Sequence, residues 1–117
     1  MALLQLIDAS ADYNNNGSVN LDIGGWDYVV IQVVTPTGTT SFKTSNDAGS
    51  VLGVTEGNAL TATNFVAVLA TNLATGTTAT STAADGMFKI NVAGRFLQIS
   101  GATVAKLLVT LQKIDAN

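Results

Sequence analysis

The amino-acid sequence predicts an all-β protein, a single-domain antiparallel β-sandwich that is jelly-roll-like and built of roughly eight short strands. Three observations carry that expectation. Several runs alternate apolar and polar residues with a period of two, the signature of a strand with one buried face. Clusters of Gly, Asn and Asp, with the single proline, separate those runs at short intervals. The apolar runs are rich in Val, Ile, Thr and aromatic residues, which fit a pleated surface.

The clearest strand spans 26–35, where Trp26, Tyr28, Val30, Gln32 and Val34 share one face and Val29, Ile31 and Val33 the other. Both faces read as largely buried. Pro36-Thr37-Gly38 then turns the chain into a second alternating run at 39–44, which reads as a hairpin. Ser45-Asn46-Asp47-Ala48-Gly49 is turn chemistry and opens a loop to about residue 58.

Residues 59–74 fit both a helical stripe and a strand face, and their β-branched, Thr-rich surroundings favour strand. The polar stretch 75–85 supplies an edge strand and a turn. Beyond it, Phe88, Ile90 and Val92 alternate with Met87, Lys89 and Asn91. Ala93-Gly94 and Gly101-Ala102 then separate that strand from runs at 95–100 and 104–114, completing a meander. In the last run Ala105, Leu107, Val109 and Leu111 point to the core, and Lys106, Leu108, Thr110 and Gln112 point outward. Residues 1–8 and a segment near 18–23 bring the total to about eight.

A chain of 117 residues fits one domain, 1–117, and no linker divides it. Residues 1–8 stand apart as a docking strand or arm. Leu3, Leu4, Leu6 and Ile7 fall on both strand phases, so one buried sheet face cannot cover them all. They are the expected interface with a neighbouring subunit or a larger assembly. The bland alternative is that both phases are buried inside one sandwich.

Composition narrows the chemistry. Cysteine and histidine are both absent, which removes the thiolate nucleophile, the commonest general base and the commonest metal ligand. No catalytic residues, cofactor or small-molecule substrate are expected, and the chain is not expected to be an enzyme. Its net charge is −3, and the basic residues Lys43, Lys89, Arg95, Lys106 and Lys113 are dispersed, so nucleic acid is not an expected partner. The apolar start lacks a basic n-region and breaks at Asp8, which reads as neither signal peptide nor membrane span. Charged residues make up 11% of the chain, against about 25% in ordinary domains. A surface so weakly protected by charge suits a homo-oligomer, with a trimer the expected state.

Four candidate sites each have a plainer reading. Asp12-Tyr13-Asn14-Asn15-Asn16-Gly17 matches the first half of a calcium loop, but Ile23 stands where the bidentate carboxylate belongs and Asp22 falls one place early. The string is expected to be an Asn/Gly-rich turn between strands, with no metal bound. Asp22, Asp27, Asp47, Glu56 and Asp85 sit where turns and strand ends ordinarily carry carboxylates, so a hydrolytic pair is not expected. Gly24-Gly25 precedes a strand rather than opening a helix, unlike a phosphate cradle. Trp26 and Tyr28, on one strand face, could stack against a sugar, but core packing is the expected role.

Four stretches taken together, LDIGGWDYVVIQV, FKTSNDAGSV, NLATGTTATST and GMFKINVAGRFLQISG, resemble small phage virion β-sandwich proteins. The shared pattern is a Gly-aromatic turn into a long strand, an S-N-D turn after a Phe-containing strand, and a glycine-opened strand before a turn ending in G-R-[FY]. It covers about residues 17 to 112, and its motifs are strand and turn punctuation rather than chemistry. The chain departs from it in the longer segment after Ser45-Asn46-Asp47, running to about residue 64.

The resemblance implies a jelly-roll-like module of a phage particle, most simply a capsid decoration or cement protein. Its partners would be further copies and the major capsid protein or other virion proteins, its place the particle surface, and its site of synthesis the host cytoplasm. The alternative is a tail or fibre-associated module, or one that recognises carbohydrate.

Overall fold

A computed structural model describes residues 2–46, 64–91, 94–101 and 103–114. Among the described residues, eleven strands and one short helix follow in the order β1 (Ala2–Asp8), α1 (Ser10–Asn16), β2 (Ser18–Asp22), β3 (Tyr28–Val34), β4 (Thr40–Ser45), β5 (Val66–Ala67), β6 (Ala70–Asn72), β7 (Thr78–Ala79), β8 (Ser81–Thr82), β9 (Gly86–Asn91), β10 (Phe96–Gly101) and β11 (Lys106–Ile114).

The strands form two antiparallel sheets. One has the order β1-β11-β3-β9-β6-β7; the other runs β2-β10-β4-β5, with β8 also paired to β4. The connectivity is that of a long hairpin rolled up. The first principal strand pairs with the last (β1·β11), the second with the next to last (β2·β10), and so inward through β3·β9 to β4·β5. This is a jelly roll in which β6, β7 and β8 are additions between β5 and β9.

Two local expectations are corrected by this topology. The turn at Pro36-Thr37-Gly38 does not close a hairpin, because β3 and β4 lie in different sheets. Likewise β9, β10 and β11 do not form a meander, since β10 lies in the opposite sheet from its two sequence neighbours. In both places successive strands belong to opposite layers of the sandwich. Burying an apolar face on each strand against the other sheet outweighs pairing the strands that are nearest in sequence.

The core lies between the sheets. Val29, Ile31 and Val33 of β3, Leu107, Val109 and Leu111 of β11 and Phe88 and Ile90 of β9 meet Phe42 of β4 and Leu97 and Ile99 of β10. The Phe42 and Phe88 rings cross the interlayer gap with centroids 5.6 Å apart. The opposite face of β3, Tyr28, Val30, Gln32 and Val34, is only half-buried, so the expectation of two buried faces holds for one. From residue 64 to 74 the regular structure is strand, as favoured from the sequence; residues 59–63 and the loop expected to about residue 58 lie largely outside the described residues.

The Asn-rich string is a helix, not a turn. Its residues are poor helix formers, and the segment owes its shape to long-range attachments. Asp8 accepts hydrogen bonds from the Ser10 backbone N–H (3.1 Å) and hydroxyl (2.6 Å), while the Ser10 hydroxyl oxygen accepts from the Leu107 N–H (2.8 Å). Tyr13 is fully buried, its hydroxyl 3.1 Å from Thr40 Oγ1. Asn14 donates from Nδ2 to the Val104 carbonyl (2.9 Å) and accepts from the Val104 N–H (2.8 Å), tying the helix to a segment ninety residues away. Gly17, at φ +74°, ends the helix by returning its N–H to the Tyr13 carbonyl.

Three outcomes are expected. Asn14→Ala leaves both backbone groups of Val104 unpaired and should lower unfolding stability by about 2 kcal/mol in denaturant titration. Gly101 has φ +144°, and a Cβ there would meet the Thr39 carbonyl at contact distances no side chain tolerates. Gly101→Ala should therefore cost roughly 3 kcal/mol by the same measurement. The Ser10 hydroxyl, helped by Lys106 and the Ser10 N–H, lowers the Asp8 carboxyl from 3.8 to about 2. Because the folded value is the lower one, the Asp8 contribution is complete above about pH 4 and fades as pH falls through about 2. A carboxyl NMR titration should find that midpoint, and Asp8→Asn should flatten thermal stability across this window.

Candidate functional site

The structure places the four leading sequence candidates on β1, the outermost strand of the six-stranded sheet. β1 pairs with β11 from Ala2↔Ile114 to Asp8↔Leu108, and no described strand pairs with its other side. Residues directly opposite one another share a face. Leu3, Gln5 and Ile7 therefore lie on the face of Lys113, Leu111 and Val109, and Leu4 and Leu6 on the face of Gln112 and Thr110.

Ile7 packs against the core. Leu3, Leu4 and Leu6 are 54%, 66% and 64% exposed, so the alternative that both phases are buried inside one sandwich does not hold. Ile114, which sequence reading did not single out, is 63% exposed at the end of β11 beside this edge. Its outward phase, shared with Thr110 and Gln112, was the signal that could have found it.

The register is fixed at the C-terminal end of β1. Asp8 Oδ2 meets Lys106 Nζ at 2.9 Å, and the Ala9 N–H donates to the Leu107 carbonyl at 2.9 Å. That last bond also shows which backbone groups are free to pair. Odd-numbered residues of β1 turn their N–H and C=O toward β11, so Leu4 and Leu6 turn theirs to the open side.

The other described sheet edges differ. β7 and β5 are two residues long, and β2 alternates Ser18, Asn20 and Asp22 with its apolar residues. Short or polar edges discourage pairing with other chains. β1 has seven residues, no proline, and no charge before Asp8.

A shallow hollow of about 370 Å³ lies on the outer face of the same sheet, lined by Leu69, Thr71, Leu73, Lys89 and Asn91. Beside it Lys89 Nζ stands 4.4 Å from the centre of the Tyr28 ring, which occupies the face that a stacked sugar would need. Trp26 lies in the turn before β3 and packs against the core, while Tyr28 points outward. The two aromatics do not share a face and make no platform.

The remaining candidates are engaged locally. Asp22 accepts from the Gly24 N–H and pairs at 3.5 Å with Arg95; Asp27 accepts from the Ile114 N–H; Asp85 accepts from the Thr35 N–H. Asp47 and Glu56 lie outside the described residues. Asp12, Asn14 and Asn16 are spread along α1, with the Asn14 amide committed to Val104 and that of Asn16 to the Asp12 carbonyl. Among the described residues no three acidic side chains gather where a metal ion could sit. Also among them, no helix is long and apolar enough to cross a membrane.

No family model matches the chain, and no curated protein matches it. Among solved structures, the fold is similar to that in the crystal structure of SPBc2 prophage-derived protein YomS. The TM-score is 0.61, with 96% of this chain and 92% of that chain covered. The sequences are 11% identical, so what the two proteins share is the sandwich fold, over nearly the full length of both.

Proposed function

We propose that this chain is a non-enzymatic structural protein of a phage particle, a capsid decoration or cement subunit that oligomerises and covers the head surface. The observation that carries the reading is β1, a long, charge-poor edge strand that leaves Leu3, Leu4 and Leu6 exposed. An edge of this kind is a hazard for a protein that works alone and an asset for one that works covered.

Three further facts support it. Only 11% of residues are charged, so little repulsion opposes close packing of copies on a shell. The fold is also shared with the prophage-derived protein YomS. Of the carboxylates considered for hydrolysis, the three among the described residues, Asp22, Asp27 and Asp85, each accept from a backbone N–H, and Asp22 also pairs with Arg95, which fits a role in assembly rather than turnover.

The reading is tested on particles from a host carrying the gene. Purified particles should contain the chain in copy number comparable to the major capsid protein. Particles made without it should adsorb normally but release packaged DNA at a lower temperature. Finding the chain with isolated tails, or losing adsorption on its deletion, would replace the head assignment with the tail or fibre one. Absence from purified particles would overturn the structural reading altogether.

A further inference from the structure

We infer that β1 is a self-recognition strand, and that its partner is the β1 of a second copy, paired antiparallel about a two-fold axis through Gln5. The inference rests on the reading of β1 as an assembly edge and goes beyond it by naming the partner and the register.

Leu3-Leu4-Gln5-Leu6-Ile7 is a palindrome of residue type about Gln5. A two-fold strand pair needs self-complementarity, because each residue meets its mirror position in the partner. With the axis at Gln5, Leu4 faces the second copy's Leu6 on the outer side of the sheet, and Leu3 faces its Ile7 on the inner side. Each of these four large apolar residues meets another.

The backbone agrees. Leu4 and Leu6 turn their N–H and C=O groups to the open side, so the Leu4–Leu6 pairs across the axis are the hydrogen-bonded ones. Gln5 meets Gln5 in the closer, non-hydrogen-bonded geometry. Charge agrees as well, since Asp8 falls opposite Ala2 rather than another carboxylate, and is already neutralised in its own chain by Lys106.

Neighbouring registers fail on side chains. An axis at Leu4 sets Leu3 against Gln5, and one at Leu6 sets Leu4 against Asp8 and Gln5 against Ile7. The Gln5 pairing joins two six-stranded sheets into one continuous sheet with a row of four leucines on its outer face. It closes as a dimer, in place of the trimer expected from the low surface charge.

One seven-residue strand per copy buries less than the roughly 1,200 Å² at the lower end of standard stable interfaces. The dimer should accordingly be of micromolar strength in solution and be reinforced where copies are held side by side.

The native chain has no cysteine, so Gln5→Cys introduces a single thiol. In a non-hydrogen-bonded antiparallel pair the Cα atoms lie about 4.5 Å apart, within the range a disulfide spans. Under mild oxidation Gln5→Cys should form a covalent dimer at least about tenfold faster than Ala83→Cys, an exposed loop position, because pairing raises the local thiol concentration. Leu4→Cys alone should link slowly, and a mixture of Leu4→Cys and Leu6→Cys chains should link to each other.

Sedimentation of the unmodified chain should approach twice 12.0 kDa at high micromolar concentration. Leu4→Lys/Leu6→Lys and Leu4→Glu/Leu6→Glu should each be monomeric, and their mixture should recover the dimer. A monomer or trimer from the unmodified chain, or linking of Gln5→Cys no faster than Ala83→Cys, overturns the inference. The chain could still be present in particles after that result, and a confirmed solution dimer could be absent from them, so the two proposals fail separately.

Discussion

The register of β11 is the constraint on which both the core and the exposed edge depend. Its odd-numbered residues Leu107, Val109 and Leu111 point between the sheets, and the strand pairs with β1 on one side and β3 on the other. A slip of one residue would send all three into solvent and turn the outward residues inward. The segment leading into β11 is therefore tied in several places. Asn14 holds Val104, Asp8 holds Lys106, and Ser10 with the Ala9 N–H holds Leu107. All these partners lie on or just after β1, so the same ties that set the core register decide which leucines of β1 face out.

Much of this was legible in the sequence, and the failures have a common cause. Alternation located β3, β4, β9, β10 and β11 and placed Leu107, Val109 and Leu111 inside, because period two is a local property that burial reads directly; Ala105, assigned to the same face, lies before β11 begins and is exposed, and Val104 is buried instead. The same alternation cannot say which sheet a strand joins. Pro36-Thr37-Gly38 and Ala93-Gly94 carry the chemistry of chain reversal, and a reversal within one sheet looks the same in sequence as an arch to the other. Only the sum of the long-range pairings, β1 with β11 inward to β4 with β5, selects the rolled arrangement. Helix α1 was missed for a related reason. Its Asn-rich sequence favours turns on its own, and it is held by Val104, Leu107 and Thr40, none of them near it in sequence.

For the candidate site, residue types were more informative than their exact burial. Leucines on both phases of one strand could not all be covered by one sheet face, and that argument needs no structure. Which of them face out follows from pairing, and Ile7 is separated from Leu3, Leu4 and Leu6 only by the β11 register and its distance from the strand end. Trp26 and Tyr28 show the opposite case. Their spacing suggested a common face, but β3 begins at Tyr28, so the alternation does not extend back to Trp26.

The contrast between sheet edges connects these observations to function. Exposing three large leucines on an unblunted strand costs solubility and invites misassociation, and a single Lys in place of Leu4 or Leu6 would reduce the risk at little cost in folding stability. The same chain uses such measures elsewhere, ending the sheets in two-residue strands at β5 and β7 and in a polar-alternating strand at β2. Leaving the longest of these edges apolar therefore calls for a benefit gained when it is covered. Nor can the edge be explained as packing for its own fold, since Ile7 already supplies the contact with the core while Leu4 and Leu6 point away from it. What such an edge offers is backbone pairing joined to leucine contacts, a combination that only another strand, laid alongside in register, can satisfy in full.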